Sequence, residues 1–317
     1  MNLNIASSPH IRGTLRTNRI MGDVCIALMP ALVMGIWKFG VRALLVTIVT
    51  VLTAVAAEGL YCMITKKRNT ITDGSAVVTG LLLAMTLPHT VPYWQAAAGS
   101  IFAVIIVKAM CQGLGQNIFN PALAARACML FFWPVSMVRY VPRMDGMDGI
   151  SAATPLHQMA MPQLPKETLT DLFLGNTTGS IGEISALALL LGATYLIFRK
   201  VIAIRIPAAY LGTMAVLTLL FPRTDMPILW MLYSLCSGGV VLGAFFMATD
   251  YATSPSTPKG QILYGIGCGA LNVFFRYYGV FPEGVTYAIL LMNACVWWLD
   301  RYMSPRRFGY QKGGRIN

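Results

Sequence analysis

The sequence predicts an all-α integral membrane protein with about ten transmembrane helices, arranged as two inverted five-helix repeats. Three observations predict this fold class: the composition, the recurrence of long apolar stretches, and a weak internal repeat. Of the 317 residues, 56% are hydrophobic and 11% are charged, and the mean hydropathy is +0.63. About a quarter of the residues of a soluble domain are charged, so this is the composition of a membrane protein.

Apolar stretches of about twenty residues, the length that crosses a bilayer as a helix, recur from one end of the chain to the other. The third stretch is short, and we expect Gly80 and Pro88 to break it, so it should form a half-helix or a buried re-entrant segment. The ten stretches span approximately residues 21–38, 42–64, 74–88, 91–110, 118–137, 183–199, 205–222, 227–248, 261–278 and 282–300.

The basic residues predict the orientation in the bilayer. With the N-terminus in the cytoplasm, most of the 24 Lys and Arg residues lie on the inner side, as the positive-inside rule requires. We therefore expect both termini inside and the longest loop outside. The predicted parts are a cytoplasmic segment 1–20, a first five-helix repeat 21–137, an extracytoplasmic loop 138–182, a second five-helix repeat 183–300 and a cytoplasmic tail 301–317.

Three short motifs recur about 160 residues apart. Because five helices per repeat is an odd number, the second copy must enter the membrane from the opposite side, and such inverted repeats often hold a site between them. Chance similarity between glycine-rich apolar segments is the alternative. The matched motifs are Gly22-Asp23 with Gly182-Glu183, Val77-Val78-x-Gly80 with Val240-Val241-x-Gly243, and Phe119-x-Pro121 with Phe281-Pro282.

Charge and cysteine spacing argue against several other classes of protein. The net charge of +12 comes from short basic clusters at helix ends, which set topology, so we expect no nucleic-acid partner. The seven cysteines never form a C-x-x-C pair, so we expect no iron–sulfur cluster, no other metal site and no disulfide framework. The three histidines fall near predicted loops, which does not support a membrane haem.

A run of small residues in the outer loop, residues 148–155, ends in the hydroxyl of Thr154 followed by Pro155. Small side chains leave room for a modifying enzyme, and a proline favours extended backbone at the residue before it. Taken alone, the run is also compatible with an ordinary turn.

This run resembles the acceptor motif Asp-x-x-Ser-Gly-Ala-Thr, in which flavin transferases attach FMN to the threonine through a phosphoester. Asp148, Ser151, Ala153 and Thr154 match the motif, whereas Ala152 stands in place of its glycine. The resemblance implies that Thr154 carries FMN, with Ser151 as the second choice of acceptor.

Further blocks along most of the chain resemble the RnfD and NqrB family, and the length of the chain favours its shorter Rnf branch. The blocks are Ser8-Pro9-His10, Gly113-Leu114-Gly115-Gln116-Asn117-Ile118-Phe119-Asn120-Pro121-Ala122, Gly179-Ser180-Ile181-Gly182-Glu183, and Met247-Ala248-Thr249-Asp250 with Ser254-Pro255.

This resemblance implies an electron-transfer subunit of an ion-translocating ferredoxin:NAD+ oxidoreductase in a bacterial or archaeal cell membrane, coupling electron flow to Na+ or H+ transport. It implies partner subunits that handle ferredoxin and NAD, that hold iron–sulfur clusters and that carry a second flavin. It also implies a flavin transferase for maturation, and no complete active site in this chain alone. A solute channel or secondary transporter with inverted repeats is the alternative.

The resemblance extends to further site residues, each of which has helix capping as its alternative role. Residues expected to close over the FMN are Gly179, Ser180 and Glu183. Residues expected to line a second site, for a noncovalent riboflavin, are Asn117, Asn120 and Asp250, which we also expect to flank helix starts.

Three of the charged residues inside or beside the predicted spans carry more than one interpretation, since charge in a membrane is expensive and usually paired. Arg126 lies near the middle of the fifth stretch and Glu58 in the inner half of the second, so the two could pair. Lys108 could extend its ammonium group to the inner surface. A structural role for Arg126 and a role in holding flavin or moving ions are both open from the sequence.

Overall fold

The computed structural model describes residues 17–66, 71–109, 117–140, 154–161, 163–279 and 283–303. All regular structure within these ranges is helical, which confirms the all-α prediction. The α-helices are α1 (Thr17–Phe39), α2 (Val41–Thr65), α3 (Ser75–Thr86), α4 (Tyr93–Ile101), α5 (Pro121–Phe132), α6 (Pro134–Val138), α7 (Pro155–Ala160), α8 (Leu169–Leu174), α9 (Ala186–Phe198), α10 (Arg205–Leu220), α11 (Pro227–Cys236), α12 (Val240–Leu242), α13 (Pro258–Tyr278) and α14 (Gly284–Met303).

Two π-helices extend this set, and a short 3-10 turn, Ile71–Asp73, precedes α3. Phe102–Ala109 continues α4, and Gly243–Met247 continues α12. Within the described ranges, α1 and α2 are each long and apolar enough to cross a membrane, and α11 with α12 and its π-helix would form a third span, bent by 62°. The chain is therefore a membrane protein with at least two clear spanning helices.

Helix α3 has 12 residues and lies almost wholly inside the protein, with only Val77 outside its buried set. This confirms the prediction of a short, buried segment, which can sit at membrane depth because other helices surround it. Gly80 does not break the helix, contrary to expectation. A Cβ atom at Gly80 would lie 2.9 Å from the carbonyl oxygen of Thr50, so the glycine allows α3 to approach α2 closely.

Two stretches predicted as continuous are interrupted. The stretch 118–137 divides at Trp133, because Pro134 has no backbone N–H to continue the helical ladder and begins the separate helix α6. The stretch 227–248 divides between α11 and α12, where Gly238 adopts a positive φ of 67°. A left-handed residue terminates a helix readily when it is glycine, so the predicted span becomes two helices at an angle.

The predicted outer loop contains two short helices. Helix α7 begins after Thr154, which is its N-cap, and α8 begins after Thr168, which forms a capping box with Asp171. Both starts follow the preference of helix N-termini for hydroxyl side chains. Residues 141–153 of the loop lie outside the described ranges.

Helices that are not adjacent along the chain pack against each other at small residues. A Cβ atom at Gly192 in α9 would collide with the carbonyl oxygen of Ala27 in α1, and one at Gly269 in α13 would lie 2.6 Å from that of Tyr210 in α10. Small residues let membrane helices approach until their backbones touch. These contacts set the relative positions of helices that surround the cavities described below.

Candidate functional site

The residue predicted to carry the cofactor, Thr154, lies on a cavity of about 380 Å³, here called the Thr154 cavity. Its side chain accepts a hydrogen bond from the backbone N–H of His157 at 3.3 Å, so α7 fixes the direction of the hydroxyl. The lining residues are Tyr140, Thr154, Pro155, Leu156, Leu172, Thr177, Thr178, Gly179, Glu183, Ile184, Cys236, Ser237, Gly238 and Glu283.

The structure brings some of the other predicted site residues to this cavity. Gly179 and Glu183 line it together with Thr154, although Glu183 follows Thr154 only after the whole of α7 and α8. Ser180 is completely buried beside them. The predicted motif residues Asp148, Ser151 and Ala153 lie outside the described ranges, as does Ala152.

A buried charged cluster, here called the Arg126 cluster, forms one wall of the Thr154 cavity. The Nη1 atom of Arg126 donates to Oε1 of Glu183 at 3.0 Å, and its Nη2 atom bonds Oε2 of Glu283. The Tyr140 hydroxyl donates to the other oxygen of Glu283 at 2.7 Å. One guanidinium thus joins two carboxylates, and both carboxylates face the cavity.

This cluster corrects the sequence-based pairing of Arg126 with Glu58. Glu58 instead accepts a 2.6 Å hydrogen bond from Nζ of Lys108, which also donates to the Ser75 hydroxyl at 2.7 Å. Lys108 is 3% exposed, so its ammonium group does not extend to the membrane surface as expected. Inside the protein, Glu58 and the Ser75 hydroxyl bind the ammonium group, which therefore does not need to extend to water at the membrane surface.

A larger cavity of about 760 Å³, here called the Asp250 cavity, lies between α1, α3, α5 and the segment after the second π-helix. It brings together all three residues predicted to line a second flavin site, Asn117, Asn120 and Asp250. Its polar lining residues are Ser75, Thr79, Lys108, Asn117, Asn120, Thr249, Asp250 and Tyr251.

Each of these three residues has a distinct local role. Asn120 is the N-cap of α5, as expected: its Oδ1 accepts from the N–H groups of Ala122 and Leu123 at 3.1 and 3.3 Å. Its Nδ2 donates to the carbonyl of Met247 at 3.2 Å, tying α5 to the second π-helix. Asn117 is buried, and its Oδ1 has no hydrogen-bond partner within the part of the chain that the structure describes.

Asp250 does not flank a helix start, contrary to expectation. It accepts hydrogen bonds from the Thr253 hydroxyl at 3.3 Å and from the Ala252 N–H at 3.5 Å, so it closes a turn. The N-cap of α13 is Thr257. Asp250 therefore lines the cavity from an irregular segment of backbone. Within a membrane, such backbone is tolerated where it is buried in protein or lines a cavity.

Sequence reasoning missed several residues of the Thr154 cavity, notably Tyr140, Glu283 and the run Ser237-Gly238. Sequence signals could have found Glu283 and Gly238, though not Tyr140. Glu283 is one of only 12 acidic residues and directly follows Phe281-Pro282, a motif that repeats earlier in the chain. Gly238-Gly239 interrupts an otherwise apolar stretch, and a glycine pair there indicates a break or a close backbone approach.

The helical fold, with at least two clear spanning helices, defines a multi-pass membrane protein, and two cavities with polar lining residues lie between its helices. Comparison with known proteins then specifies the family. The sequence model of the NQR2, RnfD, RnfE family matches residues 4–309, so the chain belongs to this family.

Three relatives are similar over nearly their whole length, and each is named as the D subunit of its complex. The chain is 47% identical to that of the Na(+)-translocating ferredoxin:NAD(+) oxidoreductase complex of Acetobacterium woodii, covering 98% of this chain and 97% of that one. It is 43% identical to that of the proton-translocating ferredoxin:NAD(+) oxidoreductase complex of Clostridium ljungdahlii, covering 97% and 96%. It is 37% identical to that of the ion-translocating oxidoreductase complex of Stutzerimonas stutzeri, covering 94% of each chain.

Proposed function

We propose that this chain is the RnfD component of an Rnf-type ion-translocating ferredoxin:NAD+ oxidoreductase, and that it passes electrons within the membrane while Na+ or H+ is moved across it. The observation that carries the proposal is a hydroxyl, Thr154, fixed on a polar cavity, in a chain that is similar to the D subunits of such complexes over nearly its full length. The electrons are supplied and taken up by partner subunits, because no complete active site is expected in this chain alone.

The cofactor of the proposal is FMN, bonded to Thr154 through a phosphoester. The residues present fit such a group. The lining of the Thr154 cavity includes the hydroxyl-bearing residues Thr177, Thr178 and Ser237, and the Thr178 hydroxyl is buried without a hydrogen-bond partner among the described residues. The Thr154 oxygen accepts the hydrogen bond from the His157 N–H. An ester oxygen can accept the same bond, so attachment of FMN would leave the N-cap of α7 in place.

A flavin accepts electrons singly or in pairs, and the protein supplies its binding, orientation and electrostatic surroundings. In this chain Thr154 holds the cofactor at a solvent-accessible face, from which a loosely bound group would be lost. Gly179 and Glu183 line the cavity around it. Arg126 fixes the Glu183 carboxylate by a 3.0 Å hydrogen bond, so this wall of the cavity is rigid.

The proposed architecture has ten spans in two inverted repeats, with both termini in the cytoplasm and Thr154 outside. Contacts between matching elements support it. Helices α1 and α9, which begin the two halves, pack together, as do α5 and α14, which close them. Asp23 and Glu183, which are equivalent in the repeat, each bind an arginine of the opposite half: Arg199 at 3.2 Å and Arg126 at 3.0 Å.

The Asp250 cavity is the proposed place for a second flavin, a noncovalent riboflavin. The amide of Asn117 has an oxygen without a hydrogen-bond partner among the described residues, and such a buried acceptor is available to a ligand donor. Asn120 and Asp250 face the same space.

The experiment that tests the covalent flavin is fluorescence of the chain on a denaturing gel after co-expression with a flavin transferase. Wild type and Ser151→Ala are expected to fluoresce, whereas Thr154→Ala is expected to be dark. Fluorescence retained in Thr154→Ala and lost in Ser151→Ala would move the acceptor to Ser151.

A dark wild-type chain, beside a control protein that the same transferase has modified, would contradict the covalent flavin. The inverted-repeat transporter would then be favoured, since a cavity lined by polar groups between helices is the expected site of a transported solute. A colourless protein that carries a solute flux in vesicles would establish that function.

A further inference from the structure

Arg276 is a buried cation without an ion pair in the part of the chain that the structure describes. It lies in the last turn of α13 and is 8% exposed. Its Nη1 atom donates to the carbonyl of Ser234 at 2.6 Å, and its Nη2 atom donates to that of Ser237 at 2.8 Å. Its Nε atom has no hydrogen-bond partner among the described residues.

Such a group is costly in a membrane protein. Arginine keeps its charge in proteins, and charged groups in membrane segments are normally paired. The carbonyl groups of Ser234 and Ser237 at the end of α11 offset part of this cost through their dipoles. The carboxylates of Glu183 and Glu283 act on the charge from beyond ion-pair distance, but all these groups leave the guanidinium with unused donors. Two further donors, one on each Nη, remain beside the Nε–H group, since a guanidinium has five N–H bonds.

The guanidinium of Arg276 lies next to a backbone segment that lines the Thr154 cavity. A Cβ atom at Gly238 would stand 3.2 Å from Nη2 of Arg276 and 2.8 Å from the side chain of Leu156. Gly238 and Leu156 both line the Thr154 cavity. Leu156 and Arg276 also line a smaller adjacent cavity of about 250 Å³ beneath α7. Arg276 therefore lies next to two residues, Gly238 and Leu156, that border the space beside Thr154.

We propose that Arg276 binds the phosphodiester by which FMN is attached to Thr154, with the unused Nε–H and Nη–H groups donating to its two free oxygens. This inference rests on the covalent flavin of the proposed function. The charges favour the phosphodiester over the flavin ring as the group that Arg276 binds. The arginine is always positive and the phosphodiester is always negative, whereas the charge of the ring changes with its redox state. Arginine also suits this role, since its planar donors meet two phosphate oxygens at once.

The test compares the rise in melting temperature that flavin attachment gives to wild type, to Arg276→Gln and to Arg223→Gln. Each chain is purified in the oxidised state after expression with and without the flavin transferase, and attachment is scored by in-gel fluorescence. Arg223 is the matched control because it contacts the neighbouring residue: its guanidinium lies 4.3 Å from the ring centre of Tyr277 and bonds the Tyr277 carbonyl.

Attachment is expected to raise the melting temperature of wild type and of Arg223→Gln by about 2–4 °C, the order of shift that a modest stabilisation gives in domains of about 150–250 residues. Arg276→Gln is expected to lose this rise. Should Arg276→Gln not fold, Arg276→Lys is expected to show a smaller rise than wild type, since its ammonium group does not offer two coplanar donors.

An equal rise in wild type and Arg276→Gln, or an undiminished rise in Arg276→Lys, would overturn the role of Arg276. The same holds for a difference that appears only after chemical reduction, since it would assign the charge to the flavin ring. These results leave the covalent flavin intact, because fluorescence is scored separately. A wild-type chain without covalent flavin would overturn both proposals.

Discussion

The guanidinium of Arg126 holds the carboxylate of Glu183 at 3.0 Å, and its other nitrogen bonds Glu283. The three residues come from α5, from the segment before α9 and from the segment before α14. A cation between a buried acid, Glu183, and a half-buried acid, Glu283, lets both carboxylates lie at the edge of one cavity with less repulsion between them. The Arg126 cluster thus connects the helix bundle to the Thr154 cavity.

Removal of Arg126 is expected to be strongly destabilising. Arg126→Met would leave the buried Glu183 and the half-buried Glu283 without their cation, and loss of one partner of a buried pair costs about 3–5 kcal/mol. Thermal unfolding in detergent measures the loss. The triple variant Arg126→Met, Glu183→Gln, Glu283→Gln is expected to be more stable than Arg126→Met alone. Equal stability of the two would show that the charges of the cluster are not coupled.

The pair of Lys108 with Glu58 is expected to show coupling in a double-mutant cycle. Lys108→Met and Glu58→Met should each cost about 3–5 kcal/mol, because each leaves a charge in a buried site. The double variant should cost less than the sum of the two losses. Lys259→Met changes an exposed lysine and serves as the control. Strictly additive losses for Lys108 and Glu58 would contradict the pairing.

Adding a single methyl group at the contact between α1 and α9 is expected to destabilise the protein. Gly192→Ala places a carbon atom against the Ala27 carbonyl, and such overpacking costs about 1–3 kcal/mol. Gly212→Ala in α10 is the matched control, because a Cβ atom there meets no other atom within 4 Å. Melting temperatures of the two variants provide the comparison. Similar values for both would mean that α1 and α9 are not in close contact.

The proposed topology is tested by labelling single cysteines in intact cells with a membrane-impermeant maleimide. Asn176 lies between the outer-loop helix α8 and α9, whereas Lys259 lies at the start of α13, and both side chains are exposed. Asn176→Cys is expected to react in intact cells, and Lys259→Cys only after the membrane is opened. The native cysteines of the described ranges are buried or half-buried, so their background labelling is low. The reverse pattern would invert the orientation.

Local sequence signals anticipated much of the secondary structure. Asn120 before Pro121 predicted a helix start, and the structure has Asn120 as the N-cap of α5. The short third stretch became the buried helix α3. The helix breaks at Pro134 and Gly238 were missed because continuous hydropathy outweighed a single proline or glycine in drawing the stretches.

The partners of the buried charges could not be found in the same way. Arg126 was matched with Glu58 because both fall within spans, yet its partners lie 57 and 157 residues away along the chain. Lys108 was expected at the surface, and it binds Glu58 50 residues away. Helical periodicity states which residues share a face of one helix, but it does not state which faces of different helices meet.

The sequence by itself therefore determined the membrane composition, the family and the candidate acceptor Thr154, since each depends on residue types and on their order along the chain. Only the tertiary structure decided that Thr154 shares a cavity with Glu183 and Glu283, and that Arg276 lies behind Gly238. The physical reason is that these neighbours are created by packing between distant helices. In a membrane, close packing at small residues and pairing of buried polar groups select the faces that meet.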